Sequence, residues 1–285
     1  MSPPASITLK DALAQGLGRL TSAQVGSPRL NAETLLMFVL SCDRSYLYAH
    51  PERPLTEDEH NRYIHAVAER VRGIPAQYIT GHQEFWGLDF IVTPDVLIPR
   101  PETEHLIETV LPLARNFASP HINDVGTGSG CIAIALAKEL PQAEIDAVDI
   151  SPAALEIARA NALRNQVADR VRIYQADLLA GVRPESLDFV VSNPPYVGEE
   201  EEDEVQLEVR KFEPHDAVFA GPTGLEVIER LIPQAHAGLK PGGWLLMEMS
   251  GSIVSGVRIL LAGWEEVRII NDLQGIPRVA AARRN

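Results

Sequence analysis

His121-Ile122-Asn123-Asp124-Val125-Gly126-Thr127-Gly128-Ser129-Gly130-Cys131 decides the fold. Ile122 to Val125 reads as a short buried strand, and the apolar run from Cys131 to Leu140 as a helix. The three glycines between them let the backbone turn sharply and come close to a ligand at the start of that helix. Ile145-Asp146-Ala147-Val148 is a second strand, ending at Asp149, 23 residues after Gly126. A carboxylate at that place can accept both hydroxyls of a ribose. A dinucleotide fingerprint would need its third glycine at position 131, where this chain has Cys131.

The alternation continues outward. Ser151-Pro152 opens a helix with a cap and a first-position proline, and Val171-Arg172-Ile173-Tyr174 is a third strand ending at Asp177. Leu187 to Ser192 is a fourth strand, Gly224 to Ala237 a helix, and Trp244 to Glu248 a fifth strand. Val267-Arg268-Ile269-Ile270 and Arg278-Val279-Ala280-Ala281 are expected to close the sheet as an antiparallel pair. Strands alternating with helices imply an α/β fold with a mostly parallel sheet.

The fourth strand runs into Asn193-Pro194-Pro195-Tyr196. In an open α/β sheet ligands bind beyond the carboxyl ends of the strands, so Asn193 projects into that crevice. Pro194 and Pro195 carry no N–H, which leaves a bend rich in carbonyl acceptors and poor in donors. The Asn193 side-chain oxygen and the Pro194 carbonyl can each accept one hydrogen of a planar –NH2, and Tyr196 offers a flat apolar face to it. The plainer reading of the same residues is a strand-ending turn whose Asn caps the backbone.

The first 75 residues read as helices: Thr8 caps one, Ser27-Pro28 opens another, and Thr56 with Glu59 has capping-box spacing. Phe85 to Val92 alternates as a strand, with Val96-Leu97-Ile98 as its hairpin partner. The organisation expected is a helical domain at 1–75 that recognises substrate or partner, a hairpin linker at 76–101, and a catalytic domain at 102–285. In Pro99-Arg100-Pro101-Glu102-Thr103-Glu104, residues Arg100, Glu102 and Thr103 either line a ligand site or serve as loop punctuation and helix capping.

Net charge is −14 and lies wholly in the second part of the chain. Residues 1–80 hold eight basic and eight acidic residues, and the remainder 17 basic and 31 acidic. Such a balance repels phosphates and argues against a nucleic-acid substrate. Glu199-Glu200-Glu201-Glu202-Asp203-Glu204 reads as a solvated segment, with a sharper alternative as an acidic lip that attracts a basic protein. No run of about eighteen apolar residues points to a membrane span. The N-terminus lacks a basic-then-apolar leader. Two cysteines, Cys42 and Cys131, are too few for a disulfide framework and read as small buried hydrophobes. The eight histidines lack metal-ligand spacing, so no metal is expected, and the location expected is the cytoplasm.

The glycine loop with Asp149 resembles that of class I S-adenosylmethionine-dependent methyltransferases, whose fold is Rossmann-like with a seven-stranded, mostly parallel sheet. Over almost its whole length the chain resembles the release factor glutamine methyltransferase (HemK/PrmC) family. The resemblance rests on Ser27 to Glu33, Tyr78-Ile79-Thr80-Gly81, Glu84-Phe85-Trp86-Gly87, Ile98 to Glu104, Asp124 to Gly130, Asn193 to Val197, and Glu208-Val209 through Glu213-Pro214. It implies methyl transfer from S-adenosyl-L-methionine to the side-chain nitrogen N5 of the Gly-Gly-Gln glutamine in class I peptide-chain release factors, by a monomer. It places the cofactor on Gly126, Thr127, Gly128, Ser129, Gly130, Asp149, Asp177, Leu178 and Asn193. Asn193, Pro194, Pro195 and Tyr196 would hold the glutamine amide, with Asn193, Pro194 and Tyr196 as the catalytic set. The chain departs from the family where Glu248-Met249-Ser250-Gly251-Ser252 replaces a Glu-Ile-Gly followed by a Gln, and at Val218, Ala220 and Pro222. Two rivals remain: an adenine-N6 DNA methyltransferase, because adenine presents a similar –NH2, and a non-catalytic cofactor-binding module.

Overall fold

The computed structural model describes residues 7–285. Residues 1–6, which begin the expected helical domain and the segment read as lacking a leader, lie outside the described residues. The chain forms two compact units, residues 1–81 and 82–285.

The first unit holds α1 (Leu9–Ser22), α2 (Pro28–Leu40), α3 (Arg44–Ala49), α4 (Glu57–Val71) and α5 (Ala76–Thr80). Thr8 with Asp11 and Thr56 with Glu59 form reciprocal capping boxes at α1 and α4. Ser27 does not cap α2 as expected. Its backbone is left-handed (φ 47), its hydroxyl makes no cap bond, and Asn31 Nδ2 donates instead to the Gly26 and Ser27 carbonyls. Leu20, Leu35, Leu36, Tyr63 and Val67 form a core with no solvent exposure. The short α5 packs on α2 and α4, so the structural break falls six residues after the change of composition at Pro75.

The second unit begins with a hairpin of β1 (His82–Phe85) and β2 (Leu88–Ile91), paired Phe85 to Leu88. The hairpin expected between Phe85–Val92 and Val96–Ile98 is therefore corrected: its turn is Trp86-Gly87, near the start of the expected strand. Both turn residues have positive φ (54 and 68), as a tight type I′ turn requires. A tryptophan is a rare occupant there, which hid the turn; Glu104 holds it by accepting from the Trp86 N–H at 2.8 Å.

Then come α6 (Glu104–Ala114), β3 (His121–Val125), α7 (Cys131–Glu139), β4 (Glu144–Asp149), α8 (Pro152–Arg164), β5 (Val171–Gln175) and β6 (Leu187–Ser192). A short pair follows, β7 (Val197–Gly198) and β8 (Phe219–Gly221), with α9 (Leu207–Phe212) between them. The chain ends with α10 (Glu226–Gly238), β9 (Leu239–Glu248), α11 (Val254–Leu260), β10 (Glu265–Asn271) and β11 (Pro277–Arg283). The seven-stranded sheet has the order β10-β11-β9-β6-β3-β4-β5, parallel from β9 to β5, with β10 and β11 antiparallel. The expected closing pair is present. Alternate side chains of each strand feed opposite cores. Phe189, Val191 and Leu246 pack with α6 and α7, while Val190, Leu245 and Met247 pack with α10 and α11.

The chain lays down β3, β4 and β5 toward one edge, then returns to place β6 on the other side of β3. Strand order reverses there, and the crevice beyond the carboxyl ends of β3 and β6 is where such sheets bind ligands.

Candidate active site

Parallel register assembles the site. Val125 pairs with Val148 and Ser192, and Ser192 pairs with Met247. Gly126, Asp149, Asn193 and Glu248 are each the next residue along, so four strands deliver four groups to one level. The row is tightly tied: Ser192 Oγ donates to the Val125 carbonyl at 2.7 Å, and the Gly126 and Thr127 N–H groups donate to the Val148 carbonyl at 2.9 Å.

Gly126 and Gly128 have φ of +71 and +54, and a Cβ on either would meet open space. Both line a cavity of about 410 Å³ with Thr127, Ser129, Asp149, Asp177, Leu178 and Asn193. Gly130 is the exception among the expected contacts and does not line it. Its role is the turn into α7 and close packing, since a Cβ there would sit 3.0 Å from Ile134 and 3.2 Å from Ala158. Asp149 holds the loop from its side, accepting from the Gly128 N–H and the Ser151 N–H at 2.9 Å each. Asp177 pairs with Arg230 at 2.5 Å on the cavity wall, and Leu178 sits at φ 52, a strained backbone for a leucine.

A smaller cavity of about 160 Å³ adjoins the first. It is lined by Pro194, Tyr196, Val197, Val205 and Val209, and it shares Leu97, Arg100, Asn193, Pro195 and Ala217 with the larger one. Apart from Gly130, the expected cofactor and substrate residues thus fall on two cavities that meet at Asn193 and Pro195. Of the three ambiguous residues in 99–104, Arg100 and Thr103 face the larger cavity and Glu102 does not. Thr103 makes no cap bond at α6, so helix capping is not its role. Buried Glu213 pins this segment, accepting from Arg100 Nη2 at 2.5 Å and from the Ile98 N–H at 3.1 Å.

At the junction, Asn193 Nδ2 donates to Thr103 Oγ1 at 3.2 Å, Thr103 donates to Glu248 Oε2 at 2.6 Å, and the Tyr196 hydroxyl donates to Glu248 Oε1 at 2.9 Å. Neither Asn193 Oδ1 nor the Pro194 carbonyl accepts a hydrogen bond from a described residue. Burial pushes the Tyr196 phenol far up and keeps it a neutral donor. Burial also pushes the Glu248 carboxyl above its ordinary range, against the hydrogen bonds from Thr103 and Tyr196.

Glu248 and Asn161 escaped the sequence reading. Glu248 carried the same signal that singled out Asp149 and Asn193, a polar side chain ending an apolar strand. Asn161, buried in α8, grips the hairpin and the glycine loop together. Its Oδ1 accepts from the Ile91 N–H at 2.7 Å, and its Nδ2 donates to the Ile91 and Ser129 carbonyls at 2.9 Å. A lone asparagine in an apolar helix pattern was its only trace. The acidic run Glu199–Glu204 coils into 3₁₀ turns with no side chain buried. Among the described residues, no cluster suits a metal ion and no helix is long and apolar enough to cross a membrane.

The larger cavity fits a nucleoside with a charged tail. Its volume lies in the range of about 300–1,000 Å³ usual for small-molecule sites, and the Asp149 carboxylate stands on its wall. Beneath the glycine loop, Asp124 is fully buried and keeps one oxygen without a partner. Parallel strands closed by an antiparallel pair, with the crevice at the β3/β6 reversal, make this the class I S-adenosylmethionine-dependent methyltransferase fold.

Residues 11–81 match the PrmC N-terminal domain and residues 102–211 the methyltransferase small domain. A release factor glutamine methyltransferase from Koribacter versatilis is 55% identical over 279 residues, covering 98% of this chain and 99% of that protein. One from Moorella thermoacetica is 41% identical over 281 residues, with 98% and 99% covered. The hMettl16 catalytic domain, solved in complex with a 3'UTR hairpin, shares the fold alone (TM-score 0.57, 18% identity, 76% of this chain and 81% of that one). The chain belongs to the release factor glutamine methyltransferase family.

Proposed function

We propose that this protein transfers a methyl group from S-adenosyl-L-methionine to N5 of the glutamine in the Gly-Gly-Gln motif of class I peptide-chain release factors. One observation carries the reading. The Asn193 amide commits its nitrogen to Thr103 and leaves its oxygen without a protein partner, where the two cavities meet.

Gly126, Thr127, Gly128, Ser129, Asp149, Asp177 and Leu178 would hold the cofactor in the larger cavity, with the apolar Ile150 beside them. When bound, it supplies an electrophilic methyl group on a cationic sulfur and leaves as neutral S-adenosyl-L-homocysteine. A glutamine amide nitrogen is a weak nucleophile because its lone pair is delocalised into the carbonyl. Asn193 Oδ1 and the Pro194 carbonyl each accept one of its N–H groups, which fixes the nitrogen and turns its π face toward the larger cavity. Both acceptors gain as positive charge grows on nitrogen, so they favour the transition state over the ground state. Tyr196 and Pro195 pack against the amide plane. The alkylated nitrogen is acidic and gives up its proton without a strong general base. The helical unit binds the release factor, and the enzyme works as a cytoplasmic monomer.

Asn193→Ala is expected to lose methyl transfer by at least about a hundredfold while S-adenosyl-L-methionine still binds. Mass spectrometry of a purified release factor after incubation with labelled cofactor checks both substrate and residue. Label on any residue other than that glutamine, or full turnover by Asn193→Ala, overturns the reading.

A further inference from the structure

We propose that Glu248 is a positioning residue that, through Thr103, fixes which end of the Asn193 amide faces the cavities. The inference rests on the reading of Asn193 as the acceptor for the substrate amide. It follows from counting protons. An ionised carboxylate only accepts, and a hydroxyl has one proton to give. Thr103 and Tyr196 both lie within hydrogen-bond reach of Glu248, at 2.6 and 2.9 Å, so both protons point at the carboxylate. Thr103 Oγ1 then has only lone pairs left for its remaining neighbour, the Asn193 side chain at 3.2 Å. The end of the amide turned to Thr103 must therefore be its NH2, and the end turned to the cavities its oxygen. The opposite orientation would set two acceptors against each other at Thr103 and present donors to a substrate that itself brings donors.

Thr103 and Glu248 are each only 2% exposed, which leaves water little access to supply a substitute proton. Three separate elements contribute: the turn before α6, the bend after β6 and the end of β9. The register Ser192 to Met247 brings the last two level.

A protonated Glu248 would become a donor. It would give its hydrogen to Thr103 and free the Thr103 hydroxyl to donate to Asn193 Oδ1, turning the amide over. The groups facing Glu248 are Tyr196 from the bend, Glu102 from the turn before α6, Arg278 from β11 and the buried Cys131 from α7, with Arg100 beside Tyr196. Burial, reinforced by Glu102 and opposed by Thr103, Tyr196 and Arg278, raises its pKa. The productive orientation is thus held at high pH and lost as pH falls, at a pH above the ordinary carboxylate range.

The test uses the full-length enzyme with S-adenosyl-L-methionine and a purified release factor, and variants Glu248→Gln, Thr103→Ser and Thr103→Val. Expected are a loss of about 10- to 100-fold in kcat for Glu248→Gln and for Thr103→Val, with Thr103→Ser close to wild type. KM for the release factor and cofactor affinity stay within about threefold in Glu248→Gln. The double variant Glu248→Gln/Thr103→Val should cost no more than either single change. The acid limb of the wild-type kcat profile should vanish in Glu248→Gln. A second readout is independent of turnover: hydrogen exchange of the Asn193 side-chain NH2 in protein labelled with ¹⁵N-asparagine, slow in wild type and Thr103→Ser, fast in Thr103→Val. If Glu248→Gln does not fold, the Thr103 pair carries the same decision. Wild-type kcat in Glu248→Gln, an unchanged acid limb, or equal exchange in Thr103→Ser and Thr103→Val overturns the proposal. A wild-type enzyme that fails to label the glutamine overturns the functional reading instead, and the exchange measurement still decides the amide orientation.

Discussion

Asp124 accepts from the Thr127 hydroxyl at 2.6 Å and from the Ala133 N–H at 3.1 Å through one oxygen, while its other oxygen is buried without a partner. Burial pushes its carboxyl up to about 7, far above the ordinary carboxylate value of about 3.9. The folded state therefore holds this proton more tightly than the unfolded chain. The stability linked to it is fully present below about pH 4 and is lost as pH rises to about 7, with a slope of up to about 1.4 kcal/mol per pH unit. Asp124→Asn removes that slope. Thermal denaturation of the ligand-free protein between pH 5 and 7.5 should show Tm falling more steeply in wild type than in the variant. Parallel profiles would sink the assignment. In sequence, Asp124 was one letter of a glycine-loop motif; its burial depends on the packing of α7 against β3.

Among the elements, α1 and α4 meet where Gly16 faces Tyr63. A Cβ on Gly16 would lie 2.0 Å from the Tyr63 hydroxyl, which itself donates to the Ala32 carbonyl of α2 at 3.2 Å. Tyr63 has no exposure and packs within the core of the helical unit. Gly16→Ala, favourable for an isolated helix, should instead destabilise the helical unit by about 1–3 kcal/mol. Far-ultraviolet circular dichroism against denaturant would register this as a lower midpoint, and an unchanged or raised midpoint would contradict the packing. Helix propensity ranks this change one way and tertiary contact the other, so the sequence alone gives the wrong sign. The misplaced hairpin turn has a related origin. Trp86 at φ 54 goes against local preference and is held there by its contacts with Glu104 and with Glu139, whose carboxylate accepts from Trp86 Nε1 at 2.9 Å.

Across the whole molecule, charge separates the surviving reading from the DNA-methylating rival. Residues 81–285 carry 31 acidic and 17 basic side chains, the reverse of what phosphate neutralisation demands. A gel-shift titration with duplex DNA at about 50 mM salt should find no complex at micromolar protein, although low salt exaggerates any attraction. A micromolar complex would restore adenine as a candidate substrate.

The sequence by itself determined where β3, β4, β6 and β9 stop and what stands there, because an apolar alternating run that ends in a polar side chain is a local pattern. Asp149, Asn193 and the glycine loop were legible for that reason, and so was the alternation of the sheet strands with α7, α8 and α10. The tertiary structure decided which of these ends meet, through a parallel register that no neighbouring residue dictates. It also chose Thr103 over Glu102 as a neighbour of the site, brought in Glu248, and set Gly130 tightly against Ile134 and Ala158. Thr103 lies 90 residues from Asn193 and 145 from Glu248. The direction of a hydrogen bond depends on all the atoms within about 3 Å, and that neighbourhood exists only once the sheet has formed.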